Sequence, residues 1–136
     1  MTEKSTVPYA LAVDDDPLIV MDVCNILEDA GFRCLDAMSV AEAQALLLEH
    51  EPSIALLFSD VDMGDGHDGF YLARWVAERF DEVEIVIASG AAVPAMGDLP
   101  DRATFLRKPF SAATVKEHLA ETLPDHKKPA PLRRAV

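Results

Sequence analysis

Seven residues with side chains suited to phosphoryl chemistry follow apolar runs of the chain. Five are acidic and follow two of the runs: Asp14, Asp15, Asp16, Asp60 and Asp62. A hydroxyl, Ser89, follows a third run, and an ammonium, Lys108, follows a fourth. Converging carboxylates repel one another and raise their own pKa values unless a cation is present, and an oxygen-only set suits Mg²⁺. Because such a carboxylate, beside a lysine and a hydroxyl, can attack phosphorus, the pattern indicates an aspartyl phosphate site.

The elements that must position these residues alternate along the chain. Apolar runs predict five strands: Tyr9–Val13, Phe32–Ala37, Ile54–Phe58, Val83–Ala88 and Thr104–Arg107. Amphipathic stretches predict helices between and after them: from Asp16-Pro17 to Gly31, from the capping box Ser39/Glu42 to about His50, from Phe70 to Phe80, and from Ser111 to about Leu123. This alternation predicts an α/β fold, with helices on both faces of a parallel sheet and ligands bound beyond the carboxyl ends of the strands.

Length and composition favour a single domain with a real core. The chain has 136 residues, of which 50% are apolar. We expect an N-terminal extension at residues 1–8, the domain at residues 9–123, and a basic, disordered tail at residues 124–136. The net charge of −12 argues against a nucleic-acid-binding core, since phosphate backbones would repel it.

The sequence contains no pattern that would send the chain into a membrane or an oxidising compartment. No apolar run approaches the ~20 residues needed to span a bilayer, and the first residues lack the plan of a secretory signal. Cys24 and Cys34 form neither a disulfide framework nor a metal pattern. We therefore expect both to be core residues, no membrane insertion, and a cytoplasmic location.

Four motifs together resemble the receiver domain of bacterial two-component response regulators. They are VDDDP (Val13–Pro17), FSDVDM (Phe58–Met63), IASG (Ile87–Gly90) and FLRKPF (Phe105–Phe110). The resemblance covers roughly residues 9 to 123. It implies a flavodoxin-like, doubly wound sheet of five parallel strands in the order 2-1-3-4-5.

The resemblance also implies roles for the acidic residues. Asp60 corresponds to the phosphoacceptor. Asp14 and Asp15 correspond to the acidic pair that holds Mg²⁺, with Asp15 as the direct ligand and Asp14 acting through water. The backbone carbonyl of Asp62 corresponds to a further ligand.

Three other matches concern the response to phosphorylation. Ser89 resembles the switch hydroxyl that moves toward the phosphoryl group, and Lys108 the lysine that pairs with that group. Phe105 matches the aromatic rotamer switch. Pro109 matches the proline whose preceding peptide is usually cis in this family.

Three features depart from the family pattern. Gly64 replaces the proline usual after Met63, which should loosen the loop. Asp62 adds a carboxylate where side chains influence the lifetime of the phosphoryl group. Residues Ala91 to Arg102 contain two prolines and no clean helical stripe, so we expect the helix between the last two strands to be short or irregular.

The resemblance implies a stand-alone receiver that is phosphorylated on Asp60 by a histidine kinase or a histidine phosphotransfer protein, with Mg²⁺ as cofactor. Only 13 residues follow Leu123, so we expect output through binding to an unidentified protein or through onward phosphotransfer. Catalysis would be limited to the chain's own phosphorylation and dephosphorylation.

Two alternatives stay open at this point. One is a small hydrolase of the haloacid dehalogenase type, which would use Asp14 and Asp16. It would lack the usual threonine or valine at position 18 and a cap for the substrate. The other is a receiver-fold binding module that is never phosphorylated and whose acidic pocket merely holds a cation.

Overall fold

The predicted strands and helices are present in the computed structural model, which describes residues 7–51, 53–61, 68–90, 99–129 and 132. In chain order they are β1 (Tyr9–Val13), α1 (Pro17–Asp29), β2 (Arg33–Ala37), α2 (Val40–His50), β3 (Ile54–Asp60), α3 (Gly69–Arg79), β4 (Glu84–Ser89), β5 (Ala103–Arg107) and α4 (Ala112–Thr122). A 3₁₀ turn follows at Asp125–Lys127. All these elements end close to their predicted positions.

The five strands form one parallel sheet in the order β2-β1-β3-β4-β5, which confirms the expected flavodoxin-like topology. Two registers bring the acidic residues together. Val13, the last residue of β1, pairs with Ser59, and Asp60 pairs with Ala88 of β4. The residue after β1, Asp14, therefore lies at the same sheet edge as Asp60.

Helix ends agree with the capping residues read from the sequence. Asp16 Oδ1 accepts a hydrogen bond from Leu18 N at 2.9 Å, and Ser39 Oγ accepts one from Glu42 N at 3.1 Å. Gly31 follows α1 with a φ of 112°, a conformation that side-chain-bearing residues rarely adopt. The chain can therefore turn directly from α1 into β2.

Apolar side chains form a separate core on each face of the sheet. On one face, α1 and α4 pack against the strands through residues such as Val23, Leu27 and Leu119. On the other face, α2 and α3 contribute residues such as Leu47 and Leu72. Because the strands are covered on both sides, β3 and β4 are buried at nearly every position, with continuous apolar runs at Ile54–Phe58 and Ile85–Ala88, as expected for central parallel strands.

The segment after α4 differs from the disordered tail predicted for residues 124–136. Lys127 Nζ lies 2.8 Å from Glu84 Oε2 and 3.6 Å from Glu82 Oε1, and Leu132 is 3% exposed within the core on the α1/α4 face. This segment is thus held on the domain through Lys127 and Leu132. Lys127 pairs with glutamates of the domain, and Leu132 packs in its core. The local composition of the segment does not reveal these contacts.

The cysteines also differ from their predicted role as plain core residues. The sulfurs of Cys24, on α1, and Cys34, on β2, are joined as a disulfide. The prediction was wrong because the residues between the cysteines, which are ten positions apart, include the end of α1 and the turn into β2. Their spacing in the sequence therefore does not show that they meet. Only the packing of α1 over β2 shows that the two side chains face each other.

The remaining predictions about the fold concern the segment between β4 and β5 and the membrane. Residues 91–98 lie outside the described part of the chain, as does most of the predicted short or irregular helix, and residues 99–102 form a bend and a turn. Within the described residues, no helix combines the length and the apolar character that a membrane crossing requires.

His118 connects α4 to β5 and predicts a pH-dependent stability. Its Nε2 lies 2.8 Å from Thr104 Oγ1, and burial lowers the pKa of His118 from its ordinary value of 6.5, although the charge of Glu121 acts to raise it. As pH falls through 6.5, the unfolded chain takes up a proton that the folded chain resists, so the free energy of unfolding should decrease. His118→Gln should lose less stability than wild type between pH 7.5 and 5.5 in urea titrations.

His126→Gln is the control, because it replaces an exposed histidine and leaves His118 in place. It should keep the wild-type pH dependence. If His118→Gln and wild type lose the same stability over this range, His118 does not account for the effect.

Candidate functional site

Lys108 lies between two carboxylates at the carboxyl end of the sheet. Its Nζ donates to Asp60 Oδ1 at 2.8 Å and to Asp14 Oδ2 at 3.2 Å. The backbone holds the lysine in place, since Lys108 N donates to Ser89 O at 2.9 Å. The Lys108–Pro109 peptide is cis, as expected. The structure therefore brings together groups from the ends of β1, β3, β4 and β5.

Three carboxylates form a cluster that could hold a metal ion. Asp14, Asp15 and Asp60 each offer one oxygen, and these oxygens all lie within 4.8 Å of one another. Asp14 is 4% and Asp60 9% exposed, whereas Asp15 is open to solvent. An oxygen-only donor set with one open side fits Mg²⁺, which keeps several of its waters.

Asp14 is oriented by the backbone on both sides of its loop. Its N–H donates to Ala37 O, at the end of β2, at 3.2 Å. Its Oδ1 accepts a hydrogen bond from Asp16 N at 3.0 Å, which leaves Oδ2 for Lys108. The carboxylate of Asp16 caps α1 and so does not take part in the cluster.

The inner wall of the site is apolar, and burial against it changes the pKa values of Asp60 and Lys108. Val20, Phe58 and Phe110 are among the residues that line it. Burial raises the pKa of Asp60 above its ordinary value; the hydrogen bond and charge of Lys108 act against this, and the charge of Asp14 adds to it. Burial acts to lower the pKa of Lys108, but its hydrogen bond to Asp60 and the two carboxylate charges leave that pKa raised. Lys108 is therefore held as a cation.

Ser89 and Phe105 lie near Lys108 in the sheet: Ser89 ends β4, and Phe105 lies on β5, three residues before Lys108. Ser89, the last residue of β4, is 2% exposed, and it pairs with Arg107 in the register of β4 and β5. Phe105 is partly buried and packs against the core on the α2/α3 face. The roles of Ser89 and Phe105 as switch residues stay predictions. Asp62 and Gly64 lie outside the described residues, so the predictions about them stay predictions.

Gly69 is a residue of the site that the sequence analysis missed. It begins α3, and its N–H donates to Val61 O at 2.8 Å. A Cβ at this position would lie 2.1 Å from the backbone oxygen of Asp60. The sequence signal is a glycine directly after a capping aspartate, Asp68, but only the three-dimensional backbone shows the close approach.

Gly69→Ala should destabilise the protein. Alanine normally has a higher helix propensity than glycine, but here the added methyl group would push α3 away from the end of β3. We expect a loss of about 2 kcal/mol in the free energy of unfolding, measured by urea denaturation.

Gly90→Ala is the matched control for Gly69→Ala. Among the described residues, a Cβ at Gly90 would meet only Lys108 Cβ, at an ordinary 3.5 Å, so this variant should unfold like wild type. An unchanged stability of Gly69→Ala would show that α3 can shift without cost.

Comparisons with known proteins agree with this fold. The chain matches the family model of the response regulator receiver domain over residues 10–120. It is 33% identical over 122 residues to the nitrogen assimilation regulatory protein NtrX of Azorhizobium caulinodans, which covers 83% of this chain and 26% of that protein. It is 23% identical over 113 residues to the phyllosphere-induced regulator PhyR of Methylorubrum extorquens, covering 83% of this chain and 42% of that one. The chain thus spans less than half the length of either relative.

Solved structures show the same relationship. The chemotaxis response regulator CheY4 of Vibrio cholerae matches with a TM-score of 0.75 and 25% identity, over 86% of this chain and 99% of that one. The receiver domain of the hybrid histidine kinase CckA matches with a TM-score of 0.73 and 27% identity, over 85% and 99%. The chain therefore belongs to the family of response regulator receiver domains, signalling modules of two-component systems whose general role is to be phosphorylated by histidine kinases.

Proposed function

We propose that this receiver domain accepts a phosphoryl group on Asp60 from the phosphohistidine of a histidine kinase or of a histidine phosphotransfer protein. The observation that carries the proposal is the contact of 2.8 Å between Lys108 Nζ and Asp60 Oδ1, inside a cluster of three carboxylates. A lysine fixed at this distance can neutralise a second anionic group that arrives on the same carboxylate.

The transfer follows from the groups present. An oxygen of Asp60 forms a bond to phosphorus while the bond between phosphorus and the donor imidazole breaks, and the imidazole leaves with the electron pair. Lys108 Nζ shifts from the free carboxylate to the phosphoryl oxygens, and the Ser89 hydroxyl donates a hydrogen bond to one of them. The apolar wall strengthens both interactions because it excludes water.

The same cluster is the proposed site for Mg²⁺. Asp14, Asp15 and Asp60 would hold the ion, together with the backbone carbonyl of Asp62, which lies outside the described residues. When bound, Mg²⁺ would supply positive charge for the incoming phosphoryl oxygens. Without it, the negative charges of Asp14, Asp15 and Asp60 would repel an anionic phosphate donor.

Output would start at Ser89 and Phe105. A dianionic phosphoryl group draws the Ser89 hydroxyl inward, which frees space for the Phe105 ring to turn toward the core. The surface formed by β5 and α4 would then change its shape. We propose that a downstream protein reads this surface, or that the phosphoryl group passes on to another histidine.

Incubation with acetyl phosphate and Mg²⁺, followed by intact mass spectrometry, tests the proposal. We expect one phosphoryl adduct on the wild-type protein, and removal of Mg²⁺ with EDTA should prevent it. Absence of the adduct with Mg²⁺ present would favour the binding module that is never phosphorylated. Sustained hydrolysis of a phosphate ester that depends on Asp14 would favour the hydrolase, against which stand the family match and the capping role of Asp16.

Asp15→Asn should weaken Mg²⁺ binding about 10-fold or more, because it removes one of the three charges of the cluster on its exposed side. Isothermal titration calorimetry measures the affinity. Asp22→Asn makes the same chemical change at an exposed position of α1 and should bind Mg²⁺ like wild type. Equal affinities of Asp15→Asn and wild type would place the ion elsewhere.

A further inference from the structure

Cys24 and Cys34 form a second chemically reactive pair, separate from the phosphorylation site. Their sulfurs are joined across the interface of α1 and β2, and their Cα atoms lie 5.6 Å apart, which is within the range observed for disulfides. We propose that these cysteines are a reversible thiol–disulfide pair, a redox modification site that fastens α1 to strand β2.

The position of the pair allows exchange with small molecules. β2 is an edge strand of the sheet, and both cysteines are only partly buried, at the margin of the core on the α1/α4 face. Both sulfurs also lie near the carbonyl oxygen of Leu35, at 3.9 Å for Cys24 and 3.4 Å for Cys34. The partial exposure of both cysteines to solvent matters because reactive thiols must be accessible, whereas fully buried cysteines are inert.

The crosslink connects the two elements that flank the acidic loop. α1 begins at Pro17, directly after Asp14 to Asp16, and β2 ends at Ala37, whose carbonyl accepts the hydrogen bond from Asp14 N. A disulfide between residues ten positions apart also restricts the unfolded chain. The oxidised form should therefore be more resistant to unfolding than the reduced form.

The chemistry balances with a low-molecular-weight disulfide as the oxidant. The thiolate of one cysteine attacks a sulfur of glutathione disulfide, which gives a mixed disulfide and releases one glutathione thiolate. The second cysteine thiolate attacks the protein sulfur of that mixed disulfide and displaces the second glutathione. Two protein thiols are oxidised, and one glutathione disulfide is reduced to two thiols.

The test uses the full chain, reduced and then equilibrated in buffers of increasing glutathione disulfide content. N-ethylmaleimide traps the free thiols, and intact mass counts them. We expect two monomeric populations, doubly labelled and unlabelled, that replace one another across the series and revert with dithiothreitol. The proposal is overturned if both thiols stay labelled at the oxidising end, or if stable glutathione adducts or intermolecular dimers are the only oxidised products.

Single variants and melting temperatures separate the crosslink from general oxidation. Cys24→Ser and Cys34→Ser each keep one thiol, which can only be labelled or carry a glutathione, so neither variant should give an unlabelled monomer of unmodified mass at any point of the series. Oxidised wild type should melt roughly 5 to 10 °C above reduced wild type, and the double serine variant should melt alike in both buffers. Equal melting temperatures of oxidised and reduced wild type would refute the fastening of α1 to β2. Because none of these readouts involves Mg²⁺ or phosphate, failure here leaves the proposed phosphorylation untouched.

Discussion

Asp60→Asn is expected to take up no phosphoryl group from acetyl phosphate and Mg²⁺ under conditions in which the wild-type protein acquires one. The amide has nearly the shape of the carboxylate but cannot form the acyl phosphate, because it lacks the anionic oxygen that attacks phosphorus. Asp60 is the carboxylate that lies nearest to Lys108 among the described residues. Intact mass spectrometry over a time course measures the effect.

Asp81→Asn is the matched control for Asp60→Asn. It makes the same chemical change at an exposed position beyond the opposite ends of the strands, just before β4. This variant should be phosphorylated like wild type. A phosphoryl adduct that persists in Asp60→Asn would move the acceptor to another carboxylate, and peptide mapping of the adduct would identify it.

Lys108→Met is expected to slow phosphorylation by about 100-fold or more. The lysine is the one basic side chain among the described residues that contacts both Asp14 and Asp60. Its removal takes away the hydrogen-bond donor for the charge that develops on the phosphoryl oxygens. Removing one donor of this kind from an oxyanion hole lowers kcat by about 10²- to 10³-fold. The initial rate of adduct formation with acetyl phosphate is the measurement.

Lys116→Met serves as the control for Lys108→Met. Lys116 pairs with Asp29 on α1, away from the acidic cluster, so its replacement should leave the rate unchanged. Circular dichroism spectra of both variants establish that they are folded. A wild-type rate for Lys108→Met would mean that the bound cation alone neutralises the phosphoryl oxygens.

The sequence was sufficient to predict the architecture and the meeting point of the site residues. Local signals, such as the Asp16 cap and the Ser39 capping box, could be recognised because each lies within a few residues of the helix start that it stabilises. The sheet order came from a family resemblance. Once parallel strands were predicted, the rule that ligands bind beyond their carboxyl ends placed Asp60 and Lys108 together.

Features that depend on packing between distant segments could not be predicted. The clearance at Gly69 is set by the backbone of Asp60, nine residues earlier, and no property of the glycine itself reveals it. The Cys24–Cys34 pair depends on how α1 lies over β2. The contact of Lys127 with Glu84 joins residues 43 positions apart, and the basic composition of the last residues suggested solvent instead.

The hydrogen bonds of Val61 close the base of the loop that carries most departures from the family pattern. Val61 N donates to Ala88 O at 3.2 Å, and Val61 O accepts from Gly69 N at 2.8 Å. The end of β3 and the start of α3 are therefore held together at Val61, on either side of residues 62–67. For the stability of the fold, insertions, deletions or exchanged segments after Asp62 should change only the closure entropy of a short loop, which is a small cost. Selection can therefore vary the sequence of this loop to suit new partners while Asp60, at the end of β3, keeps its position.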